Sequence, residues 1–170
     1  DVTREFYLND SGNQIEKFTL SLEARYLQQC GKDVPFDEEW YRGEDIIDRA
    51  KEFIAIHGDR YVKEAPNIRQ KALTDYALEK NIKLMKKTLS DYRINFDVWF
   101  RESSLYNSNE IEETLNMLRE KGFTYEKEGA LWFKASEDGE KDDVLVRANG
   151  VPTYFAADIA YHRNKFEKRG

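Results

Sequence analysis

An acid and a phenol near the end of the chain are spaced to bind a positively charged group. Tyr154 and Asp158 are four residues apart, and after Pro152 the hydrophobic period changes from that of a strand to that of a helix, so the two side chains would lie one helical turn apart. A carboxylate matches the donor fork of a guanidinium, and a phenol can add a hydrogen bond. The alternative is an acid that only interacts with the helix dipole.

A tight turn and an amphipathic helix would position this pair. Asn149-Gly150 follows a β-prone run and suits the positive φ angles of a hairpin turn. In the helix that follows, one face carries Phe155, Ile159, His162 and Phe166. We expect this face to be buried, with the His162 imidazole packed rather than acting as a base. Tyr154 and Asp158 fall on a neighbouring face.

The rest of the pattern predicts an α/β chain with a strongly helical middle. Strands are predicted at residues 2–8, 97–100, 123–125, 130–135 and 143–147, and helices from residue 13 to about 30, at 43–56, from 66 to about 93, and from 107 to 121. The turn cluster Asn9-Asp10-Ser11-Gly12 could cap the first of these helices. Asn107, followed three positions later by Glu110, is predicted to cap the last.

The loop after the first strand is a second candidate site. Ligands of open α/β sheets bind beyond the carboxyl ends of strands, and Asn9 and Gln14 could both donate and accept hydrogen bonds there. A capped strand-to-helix turn without a ligand explains the same residues. The acidic turn at residues 136–143 does not match the spacing of a calcium loop, so no metal site is predicted.

Composition limits the class of protein. The 170 residues have 35% charged residues and a net charge of -6, which argues against nucleic-acid binding over the whole surface. The single cysteine, Cys30, cannot form an internal disulfide, and its amphipathic helical context predicts a half-buried structural thiol. Apolar runs are too short for a spanning helix and no signal peptide opens the chain. We therefore expect a cytoplasmic protein without membrane contact.

Four segments, read in order, resemble the arginyl-tRNA synthetases, a class I family. They are Arg4-Glu5-Phe6-Tyr7-Leu8-Asn9-Asp10-Ser11-Gly12-Asn13-Gln14-Ile15, the stretch from Phe96 to Leu105, the stretch from Glu128 to Phe133, and Val151-Pro152-Thr153-Tyr154-Phe155-Ala156-Ala157-Asp158-Ile159-Ala160-Tyr161-His162. The resemblance spans nearly the whole chain. It implies a partial Rossmann-type class I catalytic core with a mixed, helix-rich insertion. Residues 1–30 would form a Rossmann strand, loop and helix, residues 31–143 largely the insertion, and residues 144–170 the hairpin and the arginine-reading helix.

The resemblance also implies roles for individual residues. Tyr154 and Asp158 match the positions that recognise the guanidinium of the substrate arginine, and Glu102 matches a further acid near the substrate. Asn9 and Gln14 would belong to an active-site loop. The family joins arginine to tRNA(Arg) through an arginyl-adenylate made from ATP with Mg, and its chemistry needs no side-chain nucleophile. A monomer is expected.

Two motifs of the family are missing from the sequence. His57-Gly58 is followed by Asp59-Arg60, so the second histidine of a His-x-Gly-His motif is absent, and no Lys-Met-Ser-Lys-like loop is present. His57 is instead expected at the C-terminal end of a helix. Since the sequence also starts with Asp1, we expect a central piece of a longer enzyme that is inactive by itself.

A different class of function remains open at this point. Lys80, Lys83 and Lys87 form a basic row on the longest predicted helix, with Lys86 and Arg93 nearby. Such a row could follow phosphates in a non-catalytic RNA- or protein-binding module. A solvated helix face, diluted by the acids Asp75, Glu79 and Asp91, is the simpler interpretation.

Overall fold

Residues 2–135 and 141–169 are described by a computed structural model, and they form six α-helices and five β-strands. The helices are α1 (Asn13–Gln29), α2 (Glu44–His57), α3 (Pro66–Asp91), α4 (Ser103–Asn107), α5 (Glu110–Glu120) and α6 (Tyr154–Lys168). The strands are β1 (Glu5–Leu8), β2 (Val98–Arg101), β3 (Thr124–Lys127), β4 (Ala130–Phe133) and β5 (Asp143–Val146). A short 3₁₀ helix spans Arg60–Lys63.

The chain divides into two compact units. The helical unit contains the residues up to Arg4 together with Ser11–Asp97. The mixed unit contains Glu5–Asp10 together with the chain from Val98 onward. The coarse prediction of an α/β chain with a helical middle is thus confirmed.

In the helical unit, α1, α2 and α3 bury their apolar faces against one another. The core consists of Phe18, Leu22, Tyr26, Ile46, Ala50, Phe53, Leu73 and Ala77. Tyr26 is fully buried, and its hydroxyl donates to the carbonyl of Gly58 and accepts from the amide of Tyr61, both at 3.1 Å. This one side chain therefore ties the end of α2 and the 3₁₀ helix to α1.

A buried ion pair links α1 to α3. Arg69 and Glu23 are each 9% exposed, and the Arg69 guanidinium contacts the Glu23 carboxylate at 2.6 and 2.7 Å. Gln70 donates to the other Glu23 oxygen at 2.7 Å, and Arg69 also donates to the carbonyl of Glu64 at 2.8 Å. The charges are therefore both paired and hydrogen-bonded, which buried charges require.

The mixed unit contains two small sheets. β1 and β2 pair in parallel, with Glu5 opposite Val98 and Leu8 opposite Arg101. β3, β4 and β5 form an antiparallel sheet in that order. The core of the unit consists of Phe100, Leu105, Ile111, Leu115, Leu118, Leu131, Leu145, Ala156, Ala157 and Ala160. α6 packs on this core together with α5 and β5.

The predicted buried face of α6 is wrong in its outer half. Phe166 is 81% exposed and His162 is exposed rather than packed. The buried positions are Ala156, Ala157, Ala160 and Asn164. Small alanine side chains let the helix backbone approach its neighbours closely, while Phe155 and Ile159 of the predicted face pack only partly buried against the core.

Two predicted helix caps differ from the structure. Helix α1 begins at Asn13 as predicted, but its N-cap residue is Gly12 at φ 79°, and the Asp10 carboxylate bonds to Ser103 instead. Residue Asn107 ends the short helix α4, which the sequence did not predict, and Asn109 at φ 63° precedes α5. Asp10 thus bonds to the first residue of α4 instead of capping α1.

The expectations for Cys30 and His57 agree with the structure. Cys30 is half-buried, and burial above all raises the pKa of its thiol, which suits a structural role. His57 is the last residue of α2, and its ring lies 4.5 Å from that of Phe53. Among residues 2–135 and 141–169, no helix is long and apolar enough to cross a bilayer. Most of the predicted acidic turn, residues 136–140, lies outside the described residues.

Replacing Glu23 by Gln should strongly destabilise the chain. The change leaves the Arg69 charge buried without its counter-charge, which typically costs about 3 kcal/mol or more. We expect the free energy of unfolding, measured with urea at pH 7, to fall by about that amount. Asp75→Asn is the matched control, because it breaks the exposed pair with Lys71, where a helical pair contributes about 0.3 to 0.5 kcal/mol. Equal losses in the two variants would contradict the importance of the buried pair.

Glu5 should make the stability of the mixed unit depend on pH. Its side chain is 9% exposed, and burial acts to raise its pKa, but hydrogen bonds from Tyr161, Arg169 and Lys165 outweigh burial and hold the pKa below the ordinary value of 4.5. A lowered pKa in the folded state stabilises the protein above the unfolded value, and this stability is lost as the pH falls through the folded value.

The corresponding prediction concerns Glu5→Gln. The variant should be less stable than the wild type at pH 7, and the difference should shrink as the pH falls below about 4.5, because the wild-type carboxyl then becomes protonated as well. Urea unfolding of both proteins from pH 7 to pH 3 measures this convergence. A stability difference that stays constant over this range would show that the charge of Glu5 does not matter.

Candidate functional site

The carboxyl ends of β1 and β2 meet at one edge of their small sheet. Leu8 and Arg101 are the last paired residues, and the amide of Glu102 continues the pairing by donating to the carbonyl of Leu8 at 3.0 Å. The next residues along the two strands are therefore Asn9 and Asp10 on one side and Glu102 and Ser103 on the other. In parallel arrangements this edge is where ligands bind.

Asp10 connects the two strand ends. Its side chain is 5% exposed, and its carboxylate accepts hydrogen bonds from the amide of Ser103 at 2.8 Å and from the hydroxyl of Ser103 at 2.9 Å. The Arg101 guanidinium lies 3.8 Å from the same carboxylate. This role was not predicted from the sequence, where Asp10 was assigned only to a turn.

The negative charges of two predicted acids, Glu102 and Asp158, both act on the phenol of Tyr7. Its ring stacks on Phe100 at 5.8 Å and meets Tyr161 edge-on at 4.8 Å. Burial, followed by the negative charges of Glu102 and Asp158, raises the pKa of the Tyr7 phenol above its usual value. The phenol therefore stays neutral at physiological pH.

This arrangement suits a cationic ligand. A cation bound near this phenol would be attracted by both negative charges. Asp158 is exposed on α6, while Glu102 is partly buried, so a ligand can reach this pair of acids from solvent. Both acids were predicted from the sequence but Tyr7 was not, because its only signal was its place as the next-to-last residue of β1.

The start of α6 is anchored to β5, and this anchoring places Asp158. Thr153, the N-cap residue, donates its amide to Leu145 at 2.8 Å and its hydroxyl to Val144 at 2.6 Å. A turn is present before it, but only Gly150 has a positive φ, at 80°, and Asn149 does not, so the predicted primed turn is wrong. Its second arm is shorter than a strand, because Pro152 makes a single bridge to Val146.

Tyr154 faces a depression beside α6. It is 78% exposed and lines an open depression of about 210 Å³ together with Trp132, Arg147 and Phe155. Asp142 and Asp143 also line this depression. Asp158 and Glu102 thus both act on the Tyr7 phenol. Tyr154 instead lies beside the residues of the depression.

The two residues of the predicted loop site belong to different units. Asn9 is exposed directly after β1 in the mixed unit, and Gln14 is exposed in the first turn of α1 in the helical unit.

The basic row on α3 is exposed as well, with Lys87 paired to Asp91 at 2.6 Å and Lys80 5.4 Å from the ring centre of Tyr76.

The acidic side chains near the strand ends do not suit the binding of a triphosphate. Glu102 and Asp158 are acids, and their charge would repel phosphate oxygens. Within the described parts of the chain, no group of three or more His, Cys, Asp or Glu side chains is arranged to hold a metal ion. Negative charge at this position suits a positively charged group better than a phosphate.

Comparison with known proteins gives one family. No protein-family model matches the sequence. The chain is 62% identical over 171 residues to an arginine–tRNA ligase of Caldanaerobacter subterraneus and 60% identical over 172 residues to one of Acetivibrio thermocellus. These alignments cover 100% and 99% of the chain, but the chain spans only 30% of the length of either relative.

Solved structures agree with the sequence comparison. An arginyl-tRNA synthetase structure from Campylobacter jejuni superimposes with a TM-score of 0.81 at 36% identity, covering 98% of this chain and 36% of that one. The Thermus thermophilus arginyl-tRNA synthetase has a TM-score of 0.60 at 23% identity over 98% of this chain and 29% of its own, a similarity of fold. From sequence and structure together, the chain belongs to the arginine–tRNA ligase family and corresponds to about 30% of the length of the members it matches.

Proposed function

We propose that this chain carries the arginine-binding residues of an arginine–tRNA ligase. The whole enzyme would activate arginine with ATP and transfer it to tRNA(Arg) in protein synthesis. The observation that supports this most directly is the convergence of Glu102 and Asp158 on Tyr7 beside the ends of β1 and β2. The relatives named arginine–tRNA ligases support the same function. They give no support to a non-catalytic helical binding module.

The proposed ligand contacts follow from charge and position. Asp158 forms a charge-assisted pair with the substrate guanidinium, which a carboxylate can accept in bidentate fashion. Tyr154, one helical turn earlier, adds a hydrogen bond from its exposed hydroxyl. Glu102 supplies the second negative charge, and Asn9 supplies a polar group from the loop after β1. The role of these residues is to bind and orient arginine.

The parallel pair β1–β2 supports a finer proposal about the fold. We assign residues 1–30 and 144–170 to a Rossmann-type class I core and residues 31–143 largely to its insertion. ATP with Mg and tRNA(Arg) would be held chiefly by other parts of the enzyme, since the acids described here repel phosphate. A cytoplasmic, monomeric enzyme completes this proposal.

Asp158→Asn in the full-length ligase tests the arginine site. Because Asp158 is exposed in this structure, its expected contribution is that of a hydrogen bond to a charged group, about 1.5 to 3 kcal/mol. The kcat/KM for arginine should therefore fall about 10- to 150-fold. Tyr154→Phe should cost less, about 0.5 to 1.5 kcal/mol, because a single neutral hydrogen bond is lost.

Steady-state kinetics in the arginine-dependent pyrophosphate exchange reaction, run with tRNA, measure these changes. Asp48→Asn is the matched control, because it removes the same charge from an exposed pair with Lys51 on α2. Its arginine kinetics should match those of the wild type. Normal arginine kinetics in a folded Asp158→Asn enzyme would mean that this acid does not bind the substrate arginine.

The 170-residue chain alone should not form arginyl-adenylate. It lacks both motifs with which the family neutralises the triphosphate, and its candidate site is acidic. The same exchange assay, supplied with ATP, arginine and tRNA(Arg), should give no signal above a buffer control, while the full-length ligase is active under identical conditions. Exchange by the isolated chain would show that it holds ATP by other residues.

A further inference from the structure

We propose that Asp10 is a positioning residue for arginine recognition, acting by fixing the strand ends that carry Asn9 and Glu102. The proposal rests on the proposed function, because it concerns how the same site is held in shape. Asp10 itself is buried and its carboxylate is engaged by Ser103 and Arg101, so it acts through its neighbours and not by contact with the substrate.

The geometry joins the two candidate ligand residues through one buried carboxylate. Asp10 is the chain neighbour of Asn9, and its hydrogen-bonding partner Ser103 is the chain neighbour of Glu102. One Asp10 oxygen accepts from the Ser103 amide and the other from the Ser103 hydroxyl. Two hydrogen bonds in different directions fix both the position and the rotation of the segment that follows β2.

Glu102 is held from both sides as a result. Its own amide donates to the carbonyl of Leu8 at 3.0 Å, and the same carbonyl accepts from the amide of Asp10 at 3.0 Å. The next residue, Ser103, is held by the Asp10 side chain. The backbone of Glu102 is therefore held by two contacts, its own hydrogen bond to Leu8 and the hydrogen bond of Ser103 to Asp10. Both contacts depend on the turn that begins at Leu8.

Loss of the Asp10 carboxylate would remove the contact that holds Ser103. The partly buried amide and hydroxyl of Ser103 would lose their acceptors, and the segment would move to find water or another partner. A displacement of about 1 Å in a substrate-binding group can cost about 100-fold in rate. The effect should appear in arginine binding, because Glu102 is proposed to contact arginine, and it should leave ATP binding nearly unchanged.

The experiment compares Asp10→Ala, Asp10→Asn and Ser103→Ala in the full-length ligase. Asp10→Ala should raise the KM for arginine about 10- to 100-fold while the KM for ATP stays within about twofold. Asn still offers an acceptor to the Ser103 amide and a donor to the Ser103 hydroxyl, so Asp10→Asn should recover most of the lost affinity. Ser103→Ala keeps the bond to its amide and should be intermediate.

Thr114→Ala is the control for lost stability. Thr114 is a buried residue of the same unit, and its hydroxyl donates to the carbonyl of Glu110 within α5. Thermal melts of both variants are recorded beside the kinetics. If Thr114→Ala raises the arginine KM as much as Asp10→Ala at an equal loss of melting temperature, the effect of Asp10 is general destabilisation and the proposal is wrong.

A double-mutant cycle with Glu102→Gln shows through which residue Asp10 acts. If Asp10 positions Glu102, then Asp10→Ala should add little to the loss already caused by Glu102→Gln, so the two effects will be far from additive. Fully additive effects would overturn the proposal. Failure of the proposed function looks different, since Asp158→Asn and Glu102→Gln would then both leave arginine kinetics unchanged, whatever Asp10→Ala does.

Discussion

The parallel pairing of β1 with β2 is the constraint on which the candidate site depends. It sets Leu8 beside Arg101, and only because of this register can the Asp10 carboxylate reach Ser103. Parallel strands cannot be joined by a tight turn and need a long connection. Here the connection contains the three long helices of the helical unit, which bury a core of their own. The cost of closing so long a loop grows slowly with its length, so a connection of this length is tolerated.

The acids of the mixed unit fall into two kinds, which differ in their partners. At Glu5 and Glu110, burial acts to raise the carboxyl pKa, but hydrogen bonds and nearby cations such as Lys165 and Lys168 outweigh it and lower the pKa. These acids stabilise the packing of α6. Glu102 and Asp158 instead act on the Tyr7 phenol and raise its pKa. Negative charge that gathers around a neutral phenol is what a cationic substrate would complement.

Helix α6 shows how a helix can carry a functional face and a packing face at once. Ala156, Ala157 and Ala160 are about 1% exposed, so the helix lies close against its neighbours through its smallest side chains. Asp158 lies on the other side, toward solvent. Thr153 fixes the beginning of the helix on β5 through two hydrogen bonds. The position of Asp158 therefore follows from backbone contacts and not from contacts of its own side chain.

The sequence by itself predicted most of the helices and strands and, through a resemblance, the family to which the chain belongs. Hydrophobic periodicity located α1, α2, α3 and α6 to within a few residues, because each local pattern matches one helical face. The resemblance of four segments to arginyl-tRNA synthetases pointed to Tyr154, Asp158 and Glu102. The tertiary structure alone decided the roles of Tyr7 and Asp10, the presence of α4 and the packing face of α6. These depend on contacts between residues far apart in the chain, such as Asp10 with Ser103, and no local period encodes such a contact.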